Sequence, residues 1–119
     1  MQISDAEWAV MNYVWDQQPV DAKAVIDKLA RKHRWSSATI KTMLHRLVKK
    51  GALEHQQDGK RYLYRAVVRR GDCVRRESRS FVSRVFGGDA APALLHLVKT
   101  SKLSPEEIQQ IRALLDDKN

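Results

Sequence analysis

Cysteine is almost missing from this chain. Cys73 is the single one in 119 residues, so no intrachain disulfide can form and a reducing, cytoplasmic setting is expected. Long apolar runs are missing too: no stretch of about 18 such residues occurs, so no membrane span or membrane insertion is expected. The N-terminus carries Asp5 and Glu7 and lacks an apolar segment, which argues against a signal peptide. The four histidines, His33, His45, His55 and His96, are scattered without ligand spacing, and with one cysteine beside them no metal site and no cofactor is expected. No nucleophile–base–orienter set, catalytic carboxylate pair or phosphate loop is visible, so an enzyme is not expected. Internal repeats and low-complexity tracts are absent as well.

Acidic residues are scarce in the middle of the chain. Between Arg31 and Arg84 there are 16 Lys and Arg against four acids (Glu54, Asp58, Asp72 and Glu77), a net +12. The total is only +8, so the flanks together carry −4. Positive charge concentrated between slightly acidic ends is the footprint of a nucleic-acid-binding protein. With 43% apolar residues the chain can bury one modest core, and oligomerisation would add to its stability.

Helix signals punctuate the first half. Ser4 and Glu7 have capping-box spacing, and Trp8, Met11, Val14 and Trp15 then recur at helical period, which predicts a helix from Asp5 to Gln17 that ends before Pro19. Asp21 can cap a second helix, with Val25, Ile26, Leu29 and Ala30 on its apolar side and an end near His33 or Arg34. Ser36 can cap a third over 37–50, with Ile40, Met43, Leu44, Leu47 and Val48 as the buried stripe and Gly51 at the left-handed termination. Two strands follow, Leu53–Gln57 and Arg61–Ala66, around the turn dipeptide Asp58-Gly59.

The second half reads as helical. Val74, Phe81, Val82, Val85 and Phe86 mark a helix over about 71–86, which Gly87-Gly88 breaks. Leu94, Leu95, Leu97 and Val98 mark another after Pro92. Ser104-Pro105-Glu106-Glu107 is a second capping box, opening a helix with Ile108, Ile111, Leu114 and Leu115.

Three helices and a hairpin are the order of a winged helix. The expected class is mainly α (α+β): an N-terminal winged helix-turn-helix over residues 1–70 and a C-terminal helical dimerisation region over 71–119. In a winged helix the third helix enters the major groove and the hairpin tip reaches the backbone. Here the third helix leaves Ser37, Ala38, Thr39, Lys41, Thr42, His45, Arg46 and Lys49 outward or lateral, with Lys41 and Arg46 suited to guanine acceptors or phosphates. Lys60 and Arg61 at the wing tip are candidate phosphate contacts. Arg69, Arg70, Arg75, Arg76 and Arg79 cluster at the junction, where they contact the DNA backbone or simply solvate it. Trp8, Trp15 and Trp35 fall on apolar stripes or at a helix break and read as core rather than base-stacking platforms. Surplus apolar residues in the C-terminal helices, Val74, Phe81, Val82, Val85, Leu94, Leu97, Val98, Ile108, Ile111 and Leu115, suit a self-complementary dimer, and paired DNA half-sites match one. The alternative from another class is a sequence-nonspecific architectural or RNA-binding winged-helix module.

The residues Ile3-Ser4-Asp5-Ala6-Glu7-Trp8, Val10-Met11, Trp15, Trp35-Ser36, Thr39-Ile40, Thr42, Arg46-Leu47, Lys49-Lys50-Gly51, Leu103-Ser104 and Glu106-Glu107-Ile108 form a specific set. Through them the chain resembles, over nearly its whole length, the penicillinase, methicillin-resistance and copper-transport repressors (the BlaI/MecI/CopY family). The resemblance implies a homodimeric repressor of transcription on inverted-repeat DNA operators, with Thr39, Lys41, Thr42 and Arg46 where the recognition helix meets DNA. The copper branch's C-terminal cysteine cluster has no counterpart here, which argues against soft-metal sensing. The β-lactam branch is released from DNA when a membrane sensor-protease leads to cleavage between an Asn and a Phe. The matching pair is His96-Leu97, in the right local frame but with a different identity.

Overall fold

A computed structural model describes all 119 residues. In the first half, caps decide where the helices lie. Ser4 accepts from the Glu7 amide and Glu7 Oε1 accepts from the Ser4 amide, opening helix α1 (Asp5–Gln17). Asp21 accepts from the Ala24 amide at 2.8 Å and opens α2 (Ala22–His33). Arg34 then takes a left-handed conformation (φ 58°), which a residue with a Cβ adopts at some cost. Two residues later Ser36 caps α3 (Ser37–Lys50), which Gly51 ends at φ 82°.

Strands β1 (Leu53–Asp58) and β2 (Arg61–Ala66) pair antiparallel, from Leu53↔Ala66 to Asp58↔Arg61. The two residues between them are Gly59 and Lys60. The turn is therefore centred one residue later than the Asp58-Gly59 dipeptide suggests, with Asp58 inside the strand. Gly59 has φ 65° and Lys60 a negative φ, which is the pattern of a type II′ hairpin turn. A one-residue bridge, Val20↔Tyr64, adds a third short rung to the sheet.

These elements share one core. Val10, Met11, Val14, Val25, Ile40, Leu44 and Leu47 are fully buried, and Leu53 nearly so. The three tryptophans pack half-buried against this cluster, as the apolar stripes predict, and Trp15 Nε1 donates to the Val68 carbonyl at 3.0 Å. Three helices, a wing and this core make a winged helix.

Helix α4 (Arg70–Phe86) starts one residue before the predicted position and places Cys73 in that core. Helix α5 (Ala90–Thr100) starts before Pro92 rather than after it, because Asp89 supplies the cap. Pro92 sits in the first turn, where its missing N–H leaves no hydrogen bond unmade. Helix α6 (Pro105–Asp117) opens on the Ser104/Glu107 capping box. The chain divides into two compact units, Met1–Val74 and Arg75–Asn119. Within the second, Ala93 alone is buried.

Candidate nucleic-acid interface

The candidate interface is built on α3. Its buried residues, Ile40, Met43, Leu44 and Leu47, fall at helical spacing and fix the helix against α1 and α2. That leaves the opposite side to solvent: Ser37, Ala38, Thr39, Lys41, Thr42, His45, Arg46 and Lys49 are all exposed. Ala38, Thr42, His45 and Lys49 follow one another along this face at helical spacing, with Lys41 and Arg46 beside them. Small side chains near the helix start allow close approach, and the cations follow one to three turns on.

The first turn of α3 carries no acid, whereas those of α1 and α6 carry two each. The amides at the start of α3 therefore keep the positive end of the helix dipole uncompensated, which favours a phosphate nearby. Ser36 Oγ accepts from the Thr39 amide at 3.1 Å and lies 3.0 Å from Thr39 Oγ1. The Thr39 hydroxyl is thus held at the cap.

The wing lies further along the same unit. Lys60 is exposed at its tip. Arg61 is engaged: Nη1 donates to Asp21 Oδ2 at 2.9 Å and Nη2 to Asp58 Oδ2 at 3.2 Å. The Asp21 carboxyl is held below its ordinary pKa by the Ala24 amide first and Arg61 second. Tyr64 is half-buried and its hydroxyl is pushed up, by burial first and then by Tyr62. Tyr62 is 48% exposed and meets the His55 ring edge-on at 4.6 Å. No three His, Cys, Asp or Glu side chains converge as metal ligands.

Comparison with known proteins settles the family. A family model described as Penicillinase repressor matches residues 3–117. The chain belongs to the penicillinase repressor family. It is 36% identical to the penicillinase repressor of Bacillus licheniformis over 116 residues, covering 98% of this chain and 91% of that one. It is 33% identical over 117 residues to the methicillin resistance regulatory protein MecI of Mammaliicoccus sciuri, covering 98% and 95%. Its fold is similar to the solution structure of monomeric Bacillus licheniformis BlaI in complex with the blaP half-operator. That match is 42% identical with a TM-score of 0.54, over 60% of this chain and 88% of the other.

Two features of this family member lie outside the sequence reading. Glu7, legible as a capping residue, is also buried, and the Lys50 ammonium donates to its Oε1 and to the Gln2 carbonyl. Burial pushes the Glu7 carboxyl up, but Lys50 and the Ser4 donors outweigh it and hold the pKa below its ordinary value. This ties the end of the candidate recognition helix to the start of α1. Arg70 is the second: Nη2 donates to Asp16 Oδ1 at 2.7 Å and to the Asn12 carbonyl, and its guanidinium lies 5.2 Å over the Trp15 ring. The only sequence signals were an acid, a lysine and an arginine, with partners 43 to 58 residues away.

The candidate dimerisation residues fall on several faces. Val74, Phe81, Val85, Leu94, Leu97, Val98, Ile108 and Leu115 are exposed, and Val82 and Ile111 are half-buried. Val74 closes the first unit, and the others belong to the second. Leu94, Val98, Ile108, Ile111 and Leu115 line an apolar groove between α5 and α6.

Proposed function

We propose that this chain represses transcription as a homodimer bound to an inverted-repeat DNA operator. Membership in a repressor family agrees with the expectation that the chain is a regulator and not an enzyme. The observation that carries the proposal is the exposed face of α3, which joins small residues, three hydroxyls, Lys41, His45 and Arg46 on a helix with an uncompensated start. The half-operator complex of BlaI supports it through 42% identity over the matched region. In this reading Lys41 and Arg46 meet guanine edges or phosphates, Ser37, Ala38, Thr39, Thr42 and His45 line the groove contact, and Lys60 meets phosphate from the wing.

Pairing is supported by the second unit. Leu94 at 57% exposed, Leu95 at 63% and Leu114 at 66% are more apolar surface than three short helices leave open without a partner. A second copy presents the same surface, which suits a two-fold interface and paired half-sites.

Release by cleavage at His96-Leu97, through a membrane sensor-protease, is supported by position. The pair lies inside α5, where the His96 carbonyl accepts from Thr100 Oγ1 at 2.9 Å. A helix with one buried residue opens at low cost, and opening would expose the bond.

The test is fluorescence anisotropy with an inverted-repeat promoter duplex from the neighbouring operon. Changing Lys41 and Arg46 together to Ala should weaken binding by about tenfold or more. Unchanged affinity would remove α3 as the reading element. Equal affinity for a scrambled duplex would favour the architectural or RNA-binding module instead.

A further inference from the structure

Arg61 stands beside Lys60 at the wing tip, yet the two side chains meet opposite surroundings. Lys60 is exposed beyond the last strand pair and has no ion-pair partner. Arg61 lies between two carboxylates. Nη1 reaches Asp21 Oδ2 at 2.9 Å, while Nε and Nη2 reach Asp58 Oδ2 at 3.4 and 3.2 Å. The Arg61 charge is thus already shared between two carboxylates, which leaves it less free than Lys60 for an approaching phosphate. Asp21 itself is 20% exposed and is already fixed as the cap of α2, with the Ala24 amide on its other oxygen.

This carboxylate also occupies the start of α2, where bare amides would otherwise attract phosphate. Nearby, Val20 and Tyr64 exchange backbone hydrogen bonds at 3.1 and 2.6 Å. The Ala66 amide donates to Gln18 Oε1 at 2.7 Å, so the wing is tied to the α1–α2 connection at three points along β2, at Arg61, Tyr64 and Ala66. The backbone bridge fixes the middle of the strand, and Arg61 fixes its tip. We propose that Arg61 is a positioning residue that locks the wing tip to the cap of α2 through Asp21 and Asp58, leaving Lys60 as the tip's phosphate ligand.

This rests on the DNA-binding reading, and two measurements separate the two. The first is the salt dependence of duplex binding for wild type, Lys60→Ala and Arg61→Ala. Each phosphate contact contributes about 0.9 to the slope of log affinity against log salt. Lys60→Ala should lower the slope by about that amount. Arg61→Ala should weaken binding by a factor that stays constant across the salt series. The second needs no DNA: the Asp21 carboxyl is titrated by NMR in the full chain. Its pKa should rise in Arg61→Ala yet stay below the ordinary value, because the Ala24 amide remains. A slope loss in Arg61→Ala equal to that in Lys60→Ala, or an Asp21 titration that Arg61→Ala leaves unmoved, overturns the proposal. If wild type shows no salt-dependent duplex binding, the DNA reading fails, and the Asp21 titration still decides the lock.

Discussion

The two units of this repressor are written in the same local grammar and packed to opposite degrees. Both open a helix with a Ser/Glu capping box, Ser4/Glu7 in one and Ser104/Glu107 in the other. Both carry apolar stripes at helical period. In Met1–Val74 the stripes converge, and Val10, Met11, Val14, Val25, Ile40, Leu44 and Leu47 lose all contact with solvent. In Arg75–Asn119 they meet only as an open groove: Ala93 alone is buried, and α6 has no buried residue at all. The same contrast separates the two glutamates. Glu7 is 3% exposed and ion-paired to Lys50, while Glu107 keeps only its Ser104 partners in open solvent. Amphipathic period shows which side of a helix is apolar. It does not show whether the same chain covers that side.

The largest effect that would break this contrast is in the core. Leu47→Ala should cost about 3 kcal/mol in urea denaturation, from lost burial plus the cavity left behind, whatever the protein concentration. Leu94→Ala and Leu115→Ala should do the reverse, changing the stability of a dilute chain little while weakening assembly in sedimentation, so that the Tm loses its concentration dependence. A large loss at Leu94 in the dilute chain would mean that the second unit is packed on its own.

Next comes the Glu7–Lys50 pair. Lys50→Met leaves a buried carboxylate without its cation and should cost about 2 kcal/mol, whereas Glu7→Gln leaves a lysine that can reach water and should cost less. The sign of the pH dependence follows from the lowered carboxyl. An unfolded Glu titrates near about 4.3, and the folded one lower. Its contribution is therefore complete above that pH and is lost as pH falls through the folded value. Glu7→Gln should flatten this acid limb. Glu107 is also lowered, by the Ser104 amide and hydroxyl, and should act with the same sign in the second unit. Smallest is Ser36→Ala, which should cost about 1 kcal/mol through the lost cap of α3, read by thermal unfolding.

Much of this molecule was legible because its signals are local. Asp21, Ser36, Gly51 and the two capping boxes each act within four residues, and they place five helix ends and the exposed face of α3. The wing turn slipped by one position because Asp-Gly carries a turn signal in two registers, and strand pairing chose the one with Gly59 first. The ties of Arg61 to Asp21, Lys50 to Glu7 and Arg70 to Asp16 join residues 40 to 54 positions apart, so no window of sequence contains them. The apolar faces of the second unit were equally legible, but what covers them is not written in local period.

The tryptophans carry one more consequence. Trp8, Trp15 and Trp35 all lie in the first unit, with Trp8 and Trp15 5.8 Å apart and Trp15 under the Arg70 guanidinium. Indole emission therefore comes from the first unit alone, whereas far-ultraviolet dichroism sees every helix. Followed together through a melt, the two signals time the loss of each unit separately without any label, and a helicity midpoint that falls below the emission midpoint would mark the second unit as the first to open.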